Sequence, residues 1–396
     1  MESLYNVYYN NKEKYNELYQ SRFNSENAIK FNFKIGDNYA FFFFHQEIMN
    51  IIYTINRLNN EVTSILEKLP TIAQKEYKKR SLIDEILYTN DIEGVISTRK
   101  EISEIIDDIK QNNKNNNRIY SLVNKYLMLS DNNDYILDLE DIRKAYDELV
   151  LSEIDKGDYP DGELFRKNLV YVKNNSGKII HTGVLPEKID VILLEGLSYL
   201  NDDSIDPFIR CAIFHYIFSF VHPFYDGNGR LDRYITSLYL KKYYNPIISF
   251  RLSLTIKEKL SDYYEAFKKT NDKHNKGDIT TFVYTFIDII KEAFIKTKEY
   301  LNNKNTILYE KNEILKKLVL DNDKKQDTEL KEILFILYQV DIFGEKGINR
   351  RDLSKEVRLS IPTLSKLLKT LEEKEYVKKA KENNAFIYSL NIDRHE

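Results

Sequence analysis

The chain has 396 residues, of which 31% are charged and 42% hydrophobic, and its net charge is −3. That length holds two or three domains, and that balance excludes both a disordered chain and a polycation that binds nucleic acid over its whole surface. The single cysteine, Cys211, excludes an internal disulfide framework and a cysteine-rich zinc site, and its apolar surroundings suit a small buried hydrophobe.

Met1 to Tyr9 is polar and lacks the layout of a signal peptide, and the greasiest short run, Tyr39 to Phe44, is too short to cross a bilayer. The expected setting is a reducing cytoplasm, with no membrane partner. Helical periodicity then takes over. Ile48, Ile51, Ile52, Ile55 and Leu58 recur at three- and four-residue steps, and Ile83, Ile86 and Leu87 repeat the pattern within Ser81 to Asp91. An N-terminal helical region over 1–120 is expected. It closes at the Asn-rich run Gln111 to Arg118, which reads as a surface loop.

A central domain over 136–300 opens with a helical pattern from Leu139 to Glu148. Leu169, Tyr171 and Lys173 then alternate, Asn174 to Gly177 supplies a turn, and Ile179 to Gly183 forms a second arm. A lone hairpin among helices has little sheet to pack on, so it reads as a flap over something. Pro186 precedes a helix from Glu187 to Leu200. Pro207, with Asp206 as N-cap, starts another that is apolar almost all round from Phe208 to Val221 and should be the buried central helix. It should stop at His222-Pro223, because proline disfavours helical geometry in the residue before it. A charged linker around Asp321 to Lys325 leads to a last domain over 326–396, with helices Glu329 to Gln339, Arg351 to Val357 and Ile361 to Glu373, then two β arms. That order is the winged helix-turn-helix pattern. Between Gly344 and Lys381 there are 11 Lys/Arg against 6 Asp/Glu. Ser360, Thr363, Ser365, Lys366 and Lys369 on the candidate recognition helix suit phosphates and base edges, while Glu372, Glu373 and Glu375 nearby suit a protein-interaction module. DNA through this domain and homo-oligomerisation both stay open as partner readings.

The chemistry concentrates in residues 222–233, His-Pro-Phe-Tyr-Asp-Gly-Asn-Gly-Arg-Leu-Asp-Arg. Gly227 and Gly229 let backbone N–H groups approach an anion, and a helix beginning directly afterwards points its positive end at the same place. Arg230 and Arg233 lie on one helical face and suit phosphate oxygens. Asp226 is a hard oxygen ligand for Mg²⁺, and His222 suits general-base work. A base, a metal ligand, an anion cradle and two cationic clamps fit transfer of a phosphate-containing group, whereas a plain helix-connecting turn needs none of them in order. The run is not a Walker A loop, which ends in Gly-Lys-Ser/Thr. His215, one helical face earlier, reads as a hydrogen-bonded core histidine.

This segment resembles the Fic (Fido) family signature, His-x-Phe-x-Asp/Glu-Gly-Asn-Gly-Arg-x-x-Arg, at every defined position. His215, Gly162 to Arg166, Leu169 to Pro186, Tyr263-Tyr264 and Gly277 to Thr280 extend the likeness over roughly Leu139 to Ala293. The resemblance implies a mainly α fold, a Fic-type helical core with a β-hairpin flap, followed here by the winged helix domain. It implies a protein adenylyltransferase that moves AMP from Mg·ATP onto a Ser, Thr or Tyr hydroxyl of a target protein. Carried over, His222 takes the proton from the target hydroxyl and Asp226 holds Mg²⁺. Gly227, Asn228 and Gly229 cradle phosphate, with the Asn228 side chain taking part. Arg230 and Arg233 hold the β- and γ-phosphates, and Tyr263 and Tyr264 lie near adenine and ribose.

Upstream, Thr89-Asn90-Asp91-Ile92-Glu93-Gly94 resembles the family's inhibitory motif, Ser/Thr-x-x-x-Glu-Gly/Asn, within an inhibitory helix at about 81–94. Thr89 and Glu93 share a helix face, Gly94 suits the position past its end, and a carboxylate there would pair with Arg233 in place of the γ-phosphate. Three readings compete with forward AMP transfer: a nucleotide-sensing DNA-binding regulator, removal of AMP from a target, and transfer of another phosphate-containing group.

Overall fold

The computed structural model describes residues 2–113, 116–129, 135–173, 177–382 and 385–391. Contacts gather the chain into two units, Met1–Asn59 with Leu82–Ile295, and Asn60–Ser81 with Lys296–Glu396.

Helices α1 (Leu4–Asn10) and α2 (Lys12–Phe23) start at polar caps, where the side chains of Ser3 and Asn11 accept from the N–H groups of Asn6 and Lys14. A hairpin follows, β1 (Ala28–Ile35) and β2 (Asn38–Phe43). The expectation of a purely helical N-terminal region is corrected here. Phe31, Phe33 and Ile35 alternate onto one buried face, and Gly36 turns the chain at a φ of 60°. The hairpin is anchored far along the sequence: Phe41 N–H donates to the Gly277 carbonyl, and Ile279 N–H to that of Phe41, both at 2.9 Å. Gly277 has to be glycine, because a Cβ there would lie 2.4 Å from the Tyr39 carbonyl oxygen.

Helices α3 (Gln46–Lys68), α4 (Thr71–Ile92), α5 (Arg99–Lys110) and α6 (Tyr120–Met128) come next. Thr98 and Glu101 form a reciprocal capping box at the start of α5. Most of the segment 81–94 expected to be inhibitory is the last part of α4, a helix of 22 residues that ends at Ile92, with Glu93 and Gly94 in the turn after it and Gly94 in the left-handed region. Part of the expected Asn-rich loop, 114–115, lies outside the described residues.

Helix α7 (Leu139–Leu149) leads to the flap, β3 (Tyr171–Lys173) paired antiparallel with β4 (Ile179–Thr182), Tyr171 opposite Thr182 and Val172 opposite His181. Its expected turn at 174–176 lies outside the described residues. Then come α8 (Ile189–Leu200), α9 (Pro207–Val221), α10 (Asn228–Tyr243), α11 (Pro246–Ser249), α12 (Leu252–Glu258), α13 (Leu260–Asn271) and α14 (Thr280–Lys317). As expected, Asp206 caps α9, accepting from Phe208 N–H at 2.9 Å. Cys211, Phe214, Tyr216, Ile217 and Phe218 of α9 are buried, and α9 packs between α8 and α10 as the spine of the first unit. Helix α14 runs to Lys317, and 318–323 connect it to α15 (Lys324–Phe343).

The second unit ends in β5 (Ile348–Asn349), α16 (Arg350–Glu356), α17 (Ile361–Glu373), β6 (Val377–Glu382) and β7 (Ala385–Leu390), in sheet order β5-β7-β6. Leu353, Leu364, Leu368 and Leu371 fill its core with Tyr388 and Leu390, as the period of α17 requires. Its wing turn, 383–384, lies outside the described residues.

Candidate active site

The site forms where α9 stops and α10 starts. His222 terminates α9 in the left-handed region, at a φ of 54°, with Pro223 behind it. Phe224 is fully buried and stacks on Tyr146 of α7 with ring centroids 3.7 Å apart, which fixes the middle of the loop. Gly227 turns the chain into α10 at a φ of 81°, where a Cβ would lie 2.9 Å from Val150. No side chain caps α10, so its first N–H groups and its positive end face the loop.

The Asn228 side chain braces the loop: its oxygen accepts from Phe224 N–H at 2.9 Å and its amide donates to the Phe224 carbonyl at 2.8 Å. Each of these uses one of the two donors or two lone pairs of the amide, and the backbone N–H stands beside it at the start of α10.

Both arginines are buried and both are already paired. Arg233 donates from Nε to Thr89 Oγ1 at 2.9 Å and from Nη2 to the Thr89 carbonyl at 3.0 Å and to Glu93 Oε1 at 2.8 Å. Glu93 also reaches over the helix start, since a Cβ built on Gly229 would meet its Oε1 at 2.1 Å. A carboxylate therefore lies in the anion cradle. Arg230 donates to Glu153 Oε2 at 2.9 Å, and its Nη2 is 3.5 Å from Asp226 Oδ2. Glu153, on the turn after α7, escaped the sequence reading because nothing in its local pattern marks it. Burial pushes its carboxyl up to about 7 in spite of Arg230.

His222 is partly buried. Burial, with the positive groups of His181 and Arg166 nearby, pushes its imidazole down to about 4, while hydrogen bonding to the Ser219 carbonyl and the charge of Asp226 oppose the shift. It is therefore neutral at pH 7 and able to accept a proton. His181, on flap strand β4, holds the Phe220 carbonyl at 2.8 Å.

Asp226 keeps an exposed carboxylate beside the cradle, its side chain 49% accessible. Asp232 is fully buried, accepting from Ser219 Oγ at 2.7 Å and facing His215 Nδ1 at 3.1 Å, so it is closed to a ligand. His215 is the hydrogen-bonded core residue expected, and its Nε2 is 2.8 Å from the Tyr263 hydroxyl. That leaves Tyr263 in the aromatic core. Tyr264 is half exposed, and the charges of Glu93 and Arg233 act on it. Among the described residues no group of three His, Cys, Asp or Glu could hold a metal alone, and no helix is long and apolar enough to cross a membrane.

Residues 136–240 match the family model of the Fic/DOC family. The chain carries a Fic domain. Residues 330–378 match the model for winged helix-turn-helix DNA-binding domains. The chain is 28% identical over 231 residues to protein adenylyltransferase Fic of Drosophila mojavensis, which covers 56% of this chain and 42% of the relative. Against the same-named protein of Drosophila grimshawi it is 26% identical over 266 residues, 63% of this chain and 50% of the relative. The chain thus spans about half the length of the curated relatives it matches. A crystal structure of a Fic family protein from Desulfovibrio desulfuricans G20 covers 85% of this chain and 95% of its own, with a TM-score of 0.50 and 19% identity, a likeness of fold alone. The whole loop from His222 to Arg233 lies inside the matched residues, as do Glu153, Arg166 and the flap.

Proposed function

We propose that this protein is an adenylyltransferase that moves AMP from ATP onto a Ser, Thr or Tyr hydroxyl of another protein, and that Glu93 holds it inactive. The observation that carries the reading is the carboxylate of Glu93 seated on Arg233 and over Gly229, a negative group where an anion cradle would take phosphate.

In the reaction, neutral His222 takes the proton of the target hydroxyl, and that oxygen attacks the α-phosphorus. The bond to the bridging oxygen breaks and pyrophosphate leaves. The first N–H groups of α10, with Arg230 and Arg233, meet the charge on the phosphates. Asp226 fits Mg²⁺, because the ion is usually held by one or two carboxylates plus substrate phosphates, and Asp226 is the accessible hard oxygen donor beside the cradle. Once bound, Mg²⁺ would neutralise phosphate charge. Tyr264, half exposed and acted on by the charges of Glu93 and Arg233, would lie near the nucleotide, and the flap strands, with Tyr171 and Ile180 exposed, would align the target backbone. Intact-mass spectrometry of the Glu93→Gly chain, and of lysate proteins incubated with it, ATP and Mg²⁺, tests the reading. An added adenosine monophosphate that disappears in Glu93→Gly/His222→Ala supports it, and an unchanged yield from that double variant defeats it.

For the second unit we infer contact with duplex DNA. Thr363, Lys366 and Lys369 lie exposed on α17, and Lys378, Lys379 and Lys381 lie exposed on β6 beside it. Phosphate contacts would make binding fall steeply with salt. Retardation of duplex DNA by the full chain, weakened in Lys366→Ala/Lys369→Ala, is expected. No retardation at low salt would leave a protein-interaction module.

A further inference from the structure

Arg166 precedes the flap and is 2% exposed. Among the described residues it has no carboxylate partner. Its fork is used entirely on main-chain oxygens: Nε donates to His222 at 2.8 Å, Nη1 to Asn168 at 2.7 Å, and Nη2 to Val184 at 2.7 Å and Val221 at 3.2 Å. Those carbonyls belong to three stretches of chain: the approach to the flap, the exit from it, and the end of α9.

A buried cation without a counter-ion is costly, so its retention calls for compensation. The end of α9 supplies some of it, because carbonyls with no intrahelical partner and the negative end of the helix dipole converge there. The surroundings are shaped around the guanidinium. A Cβ on Gly183 would lie 2.7 Å from Arg166 Nη2. Backbone pairs run alongside, from Arg166 N–H to the Pro223 carbonyl at 3.1 Å and from Val184 N–H to that of Val221 at 3.2 Å. His222, whose carbonyl Arg166 grips, holds a left-handed conformation that a residue with a side chain adopts only when its surroundings impose it.

We propose that Arg166 is a positioning residue for AMP transfer, clipping the two ends of the flap to the main chain of His222 so that imidazole and target strand keep one register. The assignment rests on the transferase reading above. Lysine could carry the charge but is a point donor, and it cannot reach carbonyls on three segments as a planar fork can. Three charged or titratable groups face the imidazole: Arg166 from the approach to the flap, His181 from β4, and Asp226 from the loop itself. Burial is the largest cause of the imidazole's neutrality, and removing Arg166 takes away one of the two neighbours that act in the same direction.

The test uses the full chain in a Glu93→Gly parent, with Arg166→Lys, Arg166→Met and Gly183→Ala added singly. Transfer from ATP, KM for ATP, and the titration of the His222 ring by NMR are read together. Misplacing a reacting group by about 1 Å commonly costs on the order of 10²-fold. A kcat loss approaching that size is therefore expected in all three variants, with KM for ATP within about threefold of the parent. The His222 titration should move up in Arg166→Met and stay low in Arg166→Lys. Gly183→Ala displaces the guanidinium while keeping it, so it carries the test if the Arg166 variants do not fold. Parental kcat in Arg166→Lys or Gly183→Ala, or a KM that rises as far as kcat falls, overturns the proposal. If the parent itself transfers nothing, the transferase reading fails. The ring titration then decides alone whether Arg166 governs His222, an unmoved titration in Arg166→Met counting against it.

Discussion

Glu93 Oε1 lies 2.8 Å from Arg233 Nη2 and in contact with the start of α10 at Gly229. On the proposed reading, Arg233 serves either this carboxylate or a terminal phosphate. An enzyme inhibited in this way would hold ATP with its α-phosphate out of line for attack. Glu93→Gly should therefore raise AMP transfer at least roughly tenfold, since misalignment of reacting groups commonly costs about 10²-fold. ADP, which lacks the γ-phosphate, should change its affinity much less than ATP, a comparison that calorimetry on both nucleotides can make.

Thr89 takes two further donors of Arg233, one on its hydroxyl and one on its carbonyl. Thr89→Ala removes only the hydroxyl contact, worth about 1 kcal/mol. Its activation should be in the direction of Glu93→Gly but no more than about fivefold. A larger effect in Thr89→Ala than in Glu93→Gly would mean that the helix, and not the carboxylate, does the blocking.

The two titrating groups of the site predict a distinctive pH profile. His222 is pushed down from 6.5 to about 4, so its protonation should cost activity only as the pH falls towards about 4. Glu153, raised from 4.5 to about 7, should supply any inflection near neutrality, and Glu153→Gln should erase it. Stability follows with opposite signs. The contribution of His222 is present above pH 6.5 and lost as the pH falls through its folded value, because the unfolded chain binds the proton first. That of Glu153 is present below pH 4.5 and lost as the pH rises to about 7. Denaturation midpoints of the wild type and of each variant across this range would separate the two.

The Arg230–Glu153 pair is buried on both sides. Removing one partner of such a pair leaves a buried charge without compensation and typically costs about 3 kcal/mol or more. Glu153→Ala should lower the urea midpoint of the unit that contains it by a corresponding amount, and Glu153→Gln, which keeps a hydrogen-bond acceptor, by less. An unchanged midpoint in Glu153→Ala would show that Arg230 finds another partner.

The chain announced its local features well. Asp206, Pro207 and Pro223 bound α9 as their chemistry requires, and the alternation from Leu169 to Lys173 marks the flap. The pairing of Glu93 with Arg233 followed from a shared helix face and a family likeness. What stayed hidden depends on distant partners. The β1–β2 hairpin was not expected from the sequence, and its anchor at 277–279 is more than 230 residues away in sequence. Glu153 carries no local mark and Arg166 is marked only as the end of the Gly162 to Arg166 likeness, because each acquires its role only when tertiary structure brings α7, the flap and α9 together. The side-chain direction of Asn228 is fixed by hydrogen bonds that residue type alone does not reveal.

The most direct measurement supplies the full chain, Glu93→Gly and Glu93→Gly/His222→Ala with ATP radiolabelled at either the α- or the γ-phosphate, and follows the label into protein. The account predicts α label on protein that is strongest with Glu93→Gly, weak with the wild type and absent from the double variant, while the γ label leaves as pyrophosphate wherever transfer occurs and never marks protein. Protein-bound γ label, or α label from Glu93→Gly no faster than from the folded wild type, would contradict it.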